Sequence, residues 1–426
     1  MKVKGLRWWI IALIFLATVI NYIDRTAFAL LWPEMGKDLG MDKSDYATMF
    51  NIFLAAYAIG KFASGKLYDE IGTRLGFTVS IILWSLASVF HAFATGLVSL
   101  SIFRGLLGLG EAGNWPGAVK SNGEWFPVKE RATAQGIFNA GASIGNVIAP
   151  FVIVFLYAQF GWKTTYIILG LIGLLWIIPW LFLNKSTPDK HPWVTDKERE
   201  LILSSRIEAD KSDDTKKEKS LSVGKILSYK QSWGMLLCRF FIEPIWWFFA
   251  AWMPIYLNDK FGLSIEEIAN TMWISYLMAA LGSIIGGMFC GELMKKYDVD
   301  RSRKITIALG GILVLIAFVS IIMFVQEDNF MTFIYLAGLA LFGFQFAIGN
   351  IQTISSDLFR GPSVGTLAGL AGTVAAVSPM IMNWFISQIS ANSYTPAFVA
   401  ICVSVVLGVL SIFILIRKIE PVRKTI

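Results

Sequence analysis

Long apolar runs alternate along the chain with short polar breaks, and each run approaches the roughly 20 residues a helix needs to cross a bilayer. Six such runs fall near 8–31, 46–68, 77–94, 97–119, 132–157 and 164–183. Six more fall near 233–257, 268–294, 305–325, 331–355, 366–389 and 397–416. One long polar segment, 184–232, separates the two sets, with its charge densest at 210–219. The pattern predicts an all-α integral membrane protein of twelve transmembrane helices. These form an N-terminal six-helix bundle over 1–183, a cytoplasmic linker over 184–232 and a C-terminal six-helix bundle over 233–426. The linker reads as a solvated connector, with a short amphipathic helix near 195–206.

Internal repetition supports two matching halves. The segment from Gly65 to Arg74, closing helix 2, aligns with the segment from Gly287 to Lys296, closing helix 8. Glu124-Trp-Phe after helix 4 likewise matches Asp357-Leu-Phe after helix 10. Two pseudo-symmetric halves joined by a loop are the layout of a transporter that rocks around a central site.

Composition narrows the function. Of 426 residues, 55% are hydrophobic and 16% charged, which disfavours soluble enzymes and nucleic-acid binders. The net charge of +7 follows from Lys and Arg crowding one set of loops, among them Lys2, Lys4, Arg7, Lys66, Lys129, Arg301, Arg360 and Lys424. The other set holds only Lys37, Lys43, Lys163 and Lys260. That asymmetry places both termini in the cytoplasm. The first run follows a basic start but has no small-residue cleavage site after it, so it reads as an uncleaved helix. Cys238, Cys290 and Cys402 lie far apart with no CxxC pair; no disulfide framework, metal or other cofactor is expected.

Ionisable side chains inside an apolar span need a partner, a wet cavity or a function. Seven stand there: Asp24, Arg25, Lys61, Arg104, Glu111, Arg239 and Glu243. Taken as charges they leave an excess of one cation, which favours an anionic ligand. Arg25 offers a planar fork that keeps its charge when desolvated, suited to a substrate carboxylate. Asp24 points about 100° away from it on the helix, either as a proton carrier or in a salt bridge with Arg104. Glu111 sits among Gly108, Gly110 and Gly113, an apolar setting that suits proton coupling. Arg104, seven residues before it, shares its face and is a second candidate for the anion. Arg239 and Glu243, four apart, form either an intrahelical pair or, through Arg239, another anion ligand. Lys61 lies one turn beyond Tyr57 and either guides the anion or snorkels to the interface. Tyr57, Asn139 and Gln345 are candidates for hydroxyl recognition, with Ser143, Asn146, Asn350, Gln352 and Asn383 behind them. Trp115, Trp246, Trp247 and Trp384 could stack on a sugar ring, although most of the 16 Trp belong to interfacial belts. His91, near a helix end, reads as a packing residue.

Gly65-x-x-x-Asp69-x-x-Gly72-x-Arg74 resembles the helix 2 to 3 signature of the major facilitator superfamily, and Arg104-x-x-x-Gly108-x-Gly110 its helix 4 signature. Asn21-Tyr-Ile-Asp24-Arg25, Glu111-Ala-Gly-Asn-Trp-Pro116, Glu124-Trp-Phe-Pro-Val-Lys-Glu-Arg131 and Arg239-Phe-Phe-Ile-Glu-Pro244 are similar to the anion:cation symporters of that superfamily, and among these to bacterial hexuronate transporters. The resemblance implies the major facilitator fold and a proton-coupled secondary transporter that imports a sugar-acid anion. It also implies the same carboxylate-binding role for Arg25 and proton coupling through Glu111. Gly65, Asp69, Gly72 and Arg74 would then form a cytoplasmic gate. An aldonate, an aldarate, sodium coupling and exchange remain open. The expected partners are the anionic sugar acid, a proton and the lipid bilayer, with no nucleic acid, around a monomer.

Two motif matches mislead. Gly141-Ala-Ser143-Ile-Gly145 fits the serine-hydrolase pattern but lies in a helical run, where that motif needs a strand and a sharp turn. The stretch from Gly60 to Leu67 nearly matches a P-loop but has Leu67 at the magnesium-binding position and no strand before it. Neither supports an enzyme.

Overall fold

The computed structural model describes residues 2–127, 130–212, 221–325, 329–359, 362–389 and 393–422. Part of the charge-dense 210–219 stretch lies outside them, as do Lys129, Arg360 and Lys424 of the loop cations. The described residues are helical almost throughout. The chain divides into two compact units, Met1–Asp214 and Thr215–Ile426.

The first unit contains α1 (Leu6–Leu39), α2 (Lys43–His91), α3 (Leu97–Glu111), α4 (Asn114–Trp125), α5 (Arg131–Leu183) and α6 (Asp196–Ser212). α2 has 49 residues, about 73 Å at 1.5 Å per residue and twice the hydrocarbon thickness. It turns back at Gly72, whose φ of 75° belongs to the left-handed region that glycine enters without penalty. α5 does the same at Gly161, with φ 73°. Each is therefore two crossings. The helices run past the expected boundaries because helix continues through the polar loop once a glycine supplies the bend. α3 and α4 together make one further crossing, interrupted just after Glu111. Pro116, in the first turn of α4, has no N–H to continue the ladder, which accounts for a break at this point. The unit thus has six crossings, with α1 packed on α5 and α2 on α3.

The second unit contains α7 (Val223–Leu227), α8 (Lys230–Phe261), α9 (Ile265–Met294), α10 (Val299–Phe324), α11 (Phe330–Leu358), α12 (Pro362–Ile389) and α13 (Thr395–Leu415). The last six are single crossings. α9 and α10 pack on α11, and α8 on α12 and α13. The protein is an all-α integral membrane protein of twelve crossings in two six-helix bundles. Large apolar side chains on the outer faces, such as Phe155 at 64% and Ile178 at 65% exposure, would be an aggregation hazard in water and suit a lipid surface.

The connecting segment is more ordered at its start than its composition suggests. Val3 and Val194 form a short parallel bridge. The Glu198 carboxylate on α6 accepts from the backbone N–H of Gly5, Leu6 and Arg7, satisfying the free donors that open α1. Arg7 completes the clasp, with ion pairs to Glu198 at 2.7 Å and Glu130 at 2.8 Å. Since Glu198 reads as an ordinary linker acid, only the fold reveals this partner.

Candidate functional site

The charged residues of the first bundle collect around α1, α2 and α3. From α1, Asn21, Tyr22, Asp24 and Arg25 project at successive angles. Arg25 points to α3, where its Nη2 and Nε donate to Glu111 Oε2 at 2.7 and 3.0 Å. Nη2 also reaches Asn21 Oδ1 at 3.3 Å. The Arg25 guanidinium lies 4.9 Å from the centre of the Tyr57 ring and 5.0 Å from that of Tyr22, contacts worth about 0.5–2 kcal/mol each. Lys61, exposed and one turn further along α2, holds its Nζ 4.7 Å from the Tyr57 ring. Two cations thus converge on one tyrosine, and one of them holds a carboxylate.

Asp24 turns the other way, as its 100° offset requires. Its Oδ1 accepts from Ser88 Oγ of α2 at 3.0 Å, and it is 1% exposed. Arg104 is fully buried between the rings of Phe28 and Phe53, at 4.1 and 4.5 Å from their centres. It forms no ion pair with Asp24, so the salt bridge considered between them is absent. Arg104 Nε, Nη1 and Nη2 meet no hydrogen-bond acceptor among the described residues. His91 is buried, stacked on Tyr166 at 4.8 Å, in the packing position expected for it.

The other candidates fall elsewhere. Asn139 is exposed on α5 and accepts from Gln135 at 3.4 Å. In the second unit, Arg239 pairs with Glu243 at 2.9 Å, the intrahelical arrangement, and Gln345 is half-buried on α11. Asn350 accepts from Arg303 at 2.9 Å, and Asn383 from the Trp252 indole at 2.7 Å, so both already serve that bundle's own packing. Gly65 is half-buried on α2, and Gly72 forms the bend. Asp69 pairs with Lys120 at 2.6 Å; Arg74 reaches the Leu181 carbonyl at 3.4 Å. Thr73 donates to Glu124 at 2.7 Å in the first unit, and Arg303 to Asp357 at 3.0 Å in the second. Each bundle therefore ties the start of its third crossing to the end of its fourth, and the acids that accept, Glu124 and Asp357, are aligned by the repeat.

Tyr22, Phe53 and Ser88 were not singled out from sequence. A serine and two aromatics in apolar helices carry no signal of their own, and only helix rotation turns them toward the charges. Among the described residues no group of His, Cys, Asp and Glu could hold a metal ion.

Residues 14–382 match the family model described as Major Facilitator Superfamily. The chain is 34% identical over 421 residues to a hexuronate transporter of Escherichia coli K12, covering 98% of this chain and 95% of that protein. It is 35% identical to a galacturonate transporter of Dickeya chrysanthemi, covering 74% and 90%. A probable galactarate/D-glucarate transporter of Bacillus subtilis is 28% identical, covering 99% and 94%. The crystal structure of a bacterial homolog of the human lysosomal transporter Spinster superimposes with a TM-score of 0.74 at 18% identity, covering 98% of both chains.

Proposed function

The chain belongs to the Major Facilitator Superfamily, and from that premise we propose that it imports a sugar-acid anion, a hexuronate such as glucuronate or galacturonate, together with a proton by alternating access. It is a multi-pass membrane transporter and not an enzyme. In the proposed setting it sits as a monomer in the inner membrane, with both termini cytoplasmic.

The observation that carries the reading is the hydrogen-bonded Arg25–Glu111 pair. A guanidinium binds one carboxylate best through two parallel bonds, and both bonds to Glu111 come from the edge a substrate carboxylate would use. Substrate and Glu111 therefore compete. When the anion takes Arg25, Glu111 is left buried without its partner, a cost of about 3–5 kcal/mol for a broken buried pair. A proton on Glu111 removes that cost, so anion and proton bind together. Asp24, held by Ser88 on the other side of α1, is the second proton carrier. Lys61 and Tyr57 guide the anion, and Arg104 supplies a fixed positive field nearby. Asn139, Arg239 and Gln345 are the next residues to test as ligands, and Gly65, Asp69, Gly72 and Arg74 as the gate.

Similarity to a galactarate/D-glucarate transporter supports a second reading, in which an aldarate is carried. Its second carboxylate would need a second cation, and Lys61 stands beside Arg25 across Tyr57. Uptake of labelled glucuronate into proteoliposomes, acidic outside, tests both. Accumulation that galacturonate blocks better than glucarate, and that glucose leaves unchanged, supports the hexuronate. Arg25→Ala is expected to lower uptake a hundredfold or more. Accumulation driven by a sodium gradient alone, or intact in Arg25→Ala, contradicts the proposal.

A further inference from the structure

We propose that the first turn of α8 and the end of α13 form a binding site for the headgroup of an anionic phospholipid. The two segments enclose a cavity of about 630 Å³ lined by Lys230, Gln231, Trp233, Ile414, Leu415 and Arg417. That size is within the range of small-molecule pockets, enough for a headgroup and its first methylenes. Its base is held by close helix contact. A Cβ on Gly234 would stand 2.5 Å from Ile416 Cγ1, and Ser411 Oγ donates to the Gly234 carbonyl at 3.0 Å.

The cavity is cationic at one end and apolar at the other. Lys230 and Arg417 are exposed, and neither has a carboxylate within ion-pair distance among the described residues. Their neighbours are different: Lys304 is paired with Asp300 and Lys418 with Glu420, both at 2.8 Å. The first turn of α8 contains no acid and Tyr229 gives no side-chain cap, so the positive end of the helix adds to the same field. At the apolar end, Ile414 is 66% and Trp233 46% exposed, and the Trp233 indole N–H is turned to the Leu227 carbonyl at 2.8 Å. This is how Trp sits where hydrocarbon meets headgroups. A free phosphate or sugar acid would use the cations and leave the apolar wall wet. A phospholipid covers both, and basic pockets at the ends of membrane helices take such headgroups. The site is independent of the transported substrate.

Native mass spectrometry of the full chain, released from nanodiscs of phosphatidylglycerol and phosphatidylcholine, tests the assignment. Wild type is expected to retain phosphatidylglycerol in preference to phosphatidylcholine. Lys230→Gln with Arg417→Gln should lower that retention about thirtyfold, the loss of two interfacial cations. Lys230→Arg with Arg417→Lys should keep it, and so should Lys296→Gln with Arg301→Gln, which removes as much charge elsewhere in the same unit. Equal retention by the first pair, equal loss from the last, or displacement by millimolar inorganic phosphate overturns the proposal.

Discussion

Asp24 depends on a single hydroxyl: Ser88 donates to its Oδ1, while Oδ2 meets no donor among the described residues. Ser88→Ala would leave the buried carboxyl without that bond, at a cost of about 1–3 kcal/mol. A lower melting temperature is expected in detergent, and an unchanged one would remove Ser88 from the account. Arg104 offsets its own burial by a different device, two ring faces in place of acceptors. The apolar context of each charge, and the 100° divergence of Asp24 from Arg25, could be read from spacing alone. Which acid meets which cation could not. Only the rotation of α1 against α3 decides that Arg25 meets Glu111 and that Arg104 forms no bond to Asp24.

At the scale of the element, four glycine pairs with the same four-residue spacing separate into two kinds. Gly141 and Gly145 pack on α1, and Gly282 and Gly286 on α11, where an added Cβ at Gly286 would stand 2.3 Å from the Phe346 carbonyl oxygen. The same atom at Gly287, Gly291, Gly365 or Gly369 meets nothing within 4 Å. Gly286→Ala is therefore expected to destabilise by about 1–3 kcal/mol, because backbone must move. Gly287→Ala, one residue away, should be silent or slightly stabilising. Paired thermal melts decide this, and equal shifts would contradict the packing. Spacing announces close helix contact but does not say which face of the helix makes it. Gly72 is a third kind: its φ of 75° makes Gly72→Ala cost about 1–2 kcal/mol in strain, although its Cβ would meet open space. The helical bends at Gly72 and Gly161 were legible only as polar interruptions, since hydropathy marks where lipid ends rather than where a helix ends.

At the scale of the whole molecule, twelve crossings and the break between two sets of six were legible because membrane length imposes them on the apolar pattern. The clasp of α6 on the N-terminus was not, because its contacts join residues some 190 positions apart. His191 lies in the same connecting segment, before α6: Nδ1 accepts from the Trp193 N–H at 3.1 Å, and Nε2 lies 3.0 Å from the Leu183 carbonyl. Burial holds its pKa below the ordinary 6.5. A neutral folded histidine contributes stability that is present above that ordinary value and is lost as pH falls through the lowered one. Melting temperature should therefore drop more for wild type than for His191→Gln as pH is lowered below 6.5; parallel profiles would contradict the role. Transport of one monoanion with one proton moves no net charge, so uptake should carry no current, and steady inward positive current would refute the stoichiometry.

Competition between substrate and Glu111 for Arg25 is the central claim, and proton exchange on binding measures it most directly. Calorimetric titration of glucuronate into the purified protein, in buffers of different ionisation enthalpy, gives the number of protons taken up per anion bound. Wild type should take up close to one near neutral pH, and Glu111→Gln, which binds the anion without needing a proton there, close to none. Binding by wild type with no proton uptake, or undiminished uptake in Glu111→Gln, would contradict the coupling proposed here.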